Sequence, residues 1–235
     1  MTKNMVAFLL RKCRSIVNQL AQETNMKWTT FKLGGVQLTH VKQDDNSNQC
    51  VAASLAMVCD NTGYSGHKFG EGTLFSEGQK AMKATNNDNW ASNISSKQFV
   101  TRYGIKPNAV TTYLTNYGFT DVSEVKADDG AKELAAAING MNNGDSGILA
   151  CGVDQFHAFA IFKLKGATYV LNPMPGDDSL RGVCYRDNKA AVEVNQNAVY
   201  FAEPDHGTPS FRTVNYFYKI PSQTYLGTVK RWYFG

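Results

Sequence analysis

Apolar and polar positions alternate along this chain with two different periods, helical in the first part and strand-like in the second. Val6, Leu9, Leu10, Ile16, Val17 and Leu20 recur at helical spacing with Arg11, Lys12 and Arg14 between them, so residues 4–26 predict an amphipathic helix. A short strand is expected over Val36–Val41. The polar run Gln43-Asp-Asp-Asn-Ser-Asn-Gln49 follows, and its Asn and Ser residues suit helix capping. A helix should then begin close to Cys50 and carry Val51, Leu55, Met57 and Val58 as apolar surface, with Ala52, Ala53, Ser54 and Ala56 permitting close packing. Residues 60–96, rich in Gly and Asn, read as surface loops interrupted by a short helix around Glu77–Lys83. Helices are expected over Pro107–Tyr117 and through Lys132–Ile138, the latter capped by Asp128 or Asp129 and stopped at Gly140.

After Gly147 the period becomes that of strands: Ile148–Cys151, His157–Leu164, a Lys165-Gly166 turn, and Thr168–Leu171. Strands are also expected over Val192–Phe201, Arg212–Ile220 and Tyr225–Phe234. In His157-Ala-Phe-Ala-Ile-Phe the alternation predicts one face in a core and the other exposed. Helices first and antiparallel strands later, without βαβ alternation, define an α+β fold in which a helix packs on a sheet. The expected organisation is an N-terminal helix or delivery segment over residues 1–30 and one domain over 31–235.

Composition narrows the function classes. The chain has 235 residues, 43% of them hydrophobic, enough for a sizeable core. Its net charge of +4 includes no clustered Lys/Arg tract, so nucleic acid is not expected as a partner. The five cysteines, Cys13, Cys50, Cys59, Cys151 and Cys184, are odd in number and lack metal-ligand spacing. Neither a disulfide framework nor a metal site is indicated, and no cofactor is expected. No stretch of about 18 apolar residues exists, nor the small-residue cleavage site of a secretory signal. The expectation is a monomer that is cytoplasmic or exported by a dedicated secretion system. The basic N-terminal helix either docks on the domain or contacts a membrane surface.

The candidate chemistry centres on Cys50. A free thiol has a pKa of about 8.5, and a helix N-terminus with a nearby imidazolium favours its anion. Cys59, further along the same expected helix, reads as a small core residue. His157, at the start of its strand, is placed to serve as base, ahead of His40, His67 and His206. Antiparallel pairing through the tight Gly166 hairpin should return Asn172 beside His157, where its side-chain oxygen can orient the imidazole. Asn172 is also a natural turn residue before Pro173, and Asp177 or Asp178 are reserve candidates for the orienting role.

These residues form a pattern: Gln43, then Cys50 heading a helix of the form Cys-x-x-Ala-x-Leu-Ala-Met-Val, then His157 on a strand, then Asn172-Pro173 after the next strand. It resembles papain-like cysteine peptidases, and within them the bacteriocin-processing branch and the cysteine-protease effectors that bacterial pathogens inject into host cells. The resemblance covers about residues 36–175. It implies a helix carrying Cys50 packed on an antiparallel sheet carrying His157 and Asn172, a Cys-His-Asn triad, and Gln43 in the oxyanion hole. Val51 stands where many members have Gly, the interval from Gln43 to Cys50 is one residue longer than usual, and Asn172 replaces the Asp frequent in the nearer branch. Asn48 or the Cys50 backbone N–H are alternative oxyanion donors.

The implied activity is cleavage of protein or peptide substrates through a thioester. The same constellation also supports glutamine deamidation or acyl transfer, and an inactive relative would serve as a binding module. The segment Gly144-Asp-Ser146-Gly147 is similar to part of a serine nucleophile loop but lacks the following Gly, so it reads as a loop before the Ile148 strand.

Overall fold

The computed structural model of the chain describes residues 26–44, 47–62, 71–152, 156–174, 183–186, 190–205 and 208–222. The N-terminal helix, the Tyr225–Phe234 strand, His67, His206, Asp177 and Asp178 lie outside the described residues.

The strands β1 (Lys27–Leu33) and β2 (Val36–Lys42) form an antiparallel hairpin that stands as its own sheet. The expected domain boundary at 30/31 falls inside β1. Next comes α1 (Cys50–Thr62), in which every residue from Cys50 to Cys59 is buried. A helix apolar all round is a central one.

The short helix expected around Glu77–Lys83 is the middle of a longer one, α2 (Glu71–Thr85), and α3 (Ser96–Tyr103) follows where no helix was expected. Gly78 lies inside the expected helix and inside α2, where a Cβ would meet Ile105 Cδ1 at 2.8 Å. Close packing explains that glycine. The start of α3 is a capping box, with Ser95 Oγ accepting from Gln98 N–H and Gln98 Oε1 accepting from Ser95 N–H.

As expected, α4 spans Pro107–Tyr117. A short strand β3 (Ser123–Lys126) precedes α5 (Ala131–Asn139). The expected Asp cap is displaced: Asp129 accepts from the Lys126 N–H and closes a 3-10 turn, and α5 starts at Gly130 without a side-chain cap.

The remaining strands are β4 (Ser146–Cys151), β5 (His157–Leu164), β6 (Ala167–Leu171), β7 (Val183–Arg186), β8 (Glu193–Asn195), β9 (Ala198–Asp205) and β10 (Thr208–Ile220). Among the described residues they form an antiparallel sheet in the order β7-β6-β5-β4-β10-β9-β8, with β3 also on β10. The chain is thus α+β. The single strand expected over Val192–Phe201 is broken into β8 and β9 by a turn at Gln196-Asn197, whose φ values are 47° and 67°. Asparagine tolerates that left-handed region better than most residues.

Both faces of β5 are covered, which corrects the expectation of one exposed face. Ala158, Ala160 and Phe162 of β5 join α1, α2, α3 and α4 in one apolar cluster, and Phe159 and Ile161 join α5 in the other. Alternation is therefore present, but between two cores. Alanines on α1 and at 158 and 160 let helix and sheet approach closely. Ala160→Leu should overpack that seam and lower unfolding free energy by about 1–3 kcal/mol in urea titration.

The Gly144-Asp-Ser146-Gly147 segment is the entry to β4. Asp145 accepts from the N–H groups of Asn142 and Ser222 and pairs with Lys219 at 3.0 Å. Ser146 is fully buried. Both belong to the framework.

Candidate functional site

The turn between β5 and β6 is Lys165-Gly166, with φ values of 50° and 83°. Two positive φ angles make the two-residue hairpin whose twist matches the strands. Leu164 then lies opposite Ala167 and Ala160 opposite Leu171, so Asn172 leaves the ladder beside the first residues of β5. His157 Nε2 and Asn172 Oδ1 are 2.7 Å apart. The Met174 N–H also meets Asn172 Oδ1, at 2.9 Å.

That second bond assigns the proton. A backbone N–H only donates, so the amide atom facing it is oxygen, and an oxygen shared with His157 requires Nε2–H as donor. The imidazole is held in the Nε2–H tautomer, which makes Nδ1 the basic nitrogen. Asn172 thus unites its two expected readings, turn residue and orienting group.

Cys50 is the first residue of α1 and only 7% exposed. The first turn of α1 holds no acidic side chain to offset the positive end of the helix. Burial pushes the thiol up to about 11, against N–H groups of Ala158, Val51 and Cys50 that donate toward the sulfur. Ala158 is the neighbour of His157 in the chain, so the fold brings the sulfur to the end of β5 where the His157–Asn172 pair sits. The N–H donors at the helix start favour the anion and burial opposes it, and burial is the larger of the two. Cys59 is buried too and its thiol is raised further, with burial as the main cause.

The sign of the Cys50 shift gives a stability prediction. Below the ordinary thiol pKa both folded and unfolded chains keep the proton. Above it the unfolded chain loses the proton first, so stability falls as pH rises from about 9 to about 11. Two pKa units correspond to about 3 kcal/mol. Urea titrations at pH 8 and pH 11 should show a loss larger in the wild type than in Cys50→Ala by an amount on that order; equal losses would contradict the buried thiol.

The residues before Cys50 are held by the C-terminal turn of α3. Thr101 O accepts from the Asn48 N–H at 3.0 Å, and Arg102 O accepts from Asn48 Nδ2 at 2.8 Å. Thr101 Oγ1 accepts from Gln49 Nε2 at 2.8 Å. Gly104 ends α3 with φ 68°, and a Cβ there would approach Asn48 O to 3.1 Å. Glycine suits both demands.

Gln43 ties the two halves of the site together. Its N–H donates to Pro173 O at 2.8 Å, and its buried Nε2 donates to Ser47 O at 2.8 Å. One of its two amide hydrogens is thereby engaged within the loop. Asn48, the alternative donor, is exposed and commits its amide to α3.

Two groups in this region hold places the sequence pattern does not give, His40 being there only a weaker candidate base. His40 lies on β2 with Nε2 2.7 Å from Asn172 O. Thr101 lies on a helix that was not expected. Among the described residues no three or more His, Cys, Asp or Glu side chains are grouped to hold a metal ion, and no helix is long and apolar enough to cross a membrane. No protein-family model, curated protein or solved structure matches the chain.

Proposed function

We propose that the protein is a papain-like cysteine peptidase in which Cys50 is the nucleophile, His157 the general base and acid, and Asn172 the residue that orients His157. The observation carrying this reading is the hydrogen bond between His157 Nε2 and Asn172 Oδ1, with the tautomer set by Met174, at the strand end that also donates to the Cys50 sulfur. A nucleophile, a base and a third group orienting the base are the parts that thiol acyl chemistry needs.

With its thiol pushed up to about 11, Cys50 attacks by general-base catalysis. Nδ1 of His157 takes the Sγ proton as sulfur bonds to the substrate carbonyl carbon. The carbonyl oxygen gains negative charge, which the second Gln43 amide hydrogen and the Cys50 N–H accommodate; removing one such donor costs about 3 kcal/mol when it is well aimed. Nδ1–H then protonates the departing amine, the C–N bond breaks, and a thioester remains. Water, losing its proton to Nδ1, hydrolyses it and restores the thiol.

The test is mapping of new chain termini in a proteome treated with the wild type or with Cys50→Ala. Wild-type-specific new N-termini support peptide cleavage. Glutamine converted to glutamate without new termini would assign the same triad to deamidation, and identical proteomes would overturn hydrolysis.

A further inference from the structure

We propose that His40 is a positioning residue of this site, fixing the main chain of Asn172 and through it the ring of His157. His40 sits on β2, in the hairpin outside the main sheet and 132 residues away from Asn172 along the chain. Its Nε2 lies 2.7 Å from the Asn172 carbonyl oxygen. A carbonyl only accepts, so His40 is the donor and carries its proton on Nε2.

Two imidazoles therefore converge on one asparagine, His40 on the main-chain oxygen and His157 on Oδ1. The reason lies in the end of β6. Leu171 is the last residue paired to both β5 and β7, so the Asn172 carbonyl leaves the ladder. Pro173 has no N–H with which to continue it. The end of β2 takes over, with His40 on Asn172 O and the Gln43 N–H on Pro173 O. Rotation about the Asn172 backbone would swing Oδ1 away from His157, and these two bonds oppose it. A catalytic group held through partners of this kind keeps its geometry only while they are in place.

His40 is not a second base. Nε2 is engaged with the carbonyl, and burial, followed by the repulsion of Lys42, lowers its pKa against the opposing bond to Asn172. The ring is neutral at pH 7 and acts as a rigid donor.

The activity arm of the test rests on the peptidase reading, whereas the spectroscopic arm does not. His40→Phe keeps the ring volume without the donor, and His40→Gln returns an N–H at similar reach. In the wild type, nitrogen NMR of the histidine side chains should show His157 as the Nε2–H tautomer. In His40→Phe that signal should shift toward a mixture of tautomers, and kcat should fall about 10–100-fold with KM little changed, the usual cost of losing a residue that orients a ligand or base. His40→Gln should recover both. Should His40→Phe not fold, His40→Asn, too short to reach the carbonyl, takes its place. An unmoved His157 spectrum in the donor-free variant, or a loss that His40→Gln does not recover, overturns the proposal. A shifted spectrum in a protein without peptidase activity keeps it and removes the peptidase reading instead.

Discussion

Cys50→Ala is expected to abolish turnover, lowering kcat/KM by a factor of about 10⁴ or more, as loss of a nucleophile does elsewhere. The fold should survive, because alanine is smaller than cysteine and the neighbouring positions of α1 are already Ala52 and Ala53. Cys50→Ser is nearly isosteric, yet its hydroxyl holds its proton more tightly than a thiol and should be almost as inactive. Cys59→Ala is the informative control. That thiol lies on the same helix and is as buried as Cys50, with both residues 7% exposed. Its removal should cost stability through lost packing and leave turnover intact. Kinetics on a mapped substrate, with urea titration of each variant, separate the two effects. Activity retained in Cys50→Ala, or lost equally in Cys59→Ala, would remove Cys50 from the chemistry.

Elements with undisturbed periodicity were legible in the sequence. The helix Pro107–Tyr117 and the strand His157–Leu164 have the boundaries their patterns predict. Misreadings came where a residue served a distant contact. The helix expected around Glu77–Lys83 is longer at both ends, with Gly78 inside it packed against Ile105. Gln196-Asn197 looks like the polar half of an alternating strand, although both residues adopt positive φ. The exposed second face predicted for β5 could not be corrected from its own residues, since the apolar partner is α5, some twenty residues upstream.

The site divides along the same line. Cys50 at a helix start and Asn172 returning beside His157 follow from local patterns and one hairpin. The contacts of His40 and Thr101 could not be found in that way. Their partners, Asn172 and Gln49, lie far from them in sequence, and the bonds end on a main-chain carbonyl and on a hydroxyl of an unexpected helix. The raised thiol pKa was illegible for a related reason. A helix start suggests lowering, while the opposing burial arises from packing of α1 against the sheet.

That burial makes the second large effect quantitative. In His157→Ala the thiolate can form only by free ionisation, and a thiol pushed up to about 11 is ionised in about one molecule in 10⁴ at pH 7. Activity should therefore fall by up to about 10⁴ at neutral pH, the upper end of what a general base contributes. It should then climb about tenfold per pH unit toward pH 11, because the slope follows the thiolate fraction. The wild type, whose proton passes to Nδ1, should be nearly flat over the same alkaline range. A pH profile of kcat/KM for both proteins, with alkylation of Cys50 by iodoacetamide as a substrate-free measure, decides the point. If the variant instead shows the wild-type profile at a reduced level, another group takes the proton and His157 is not the base. If it shows the steep alkaline rise in both measurements, the buried thiol and its imidazole act as one unit, and the hydrogen bond to Asn172 is what aims that unit.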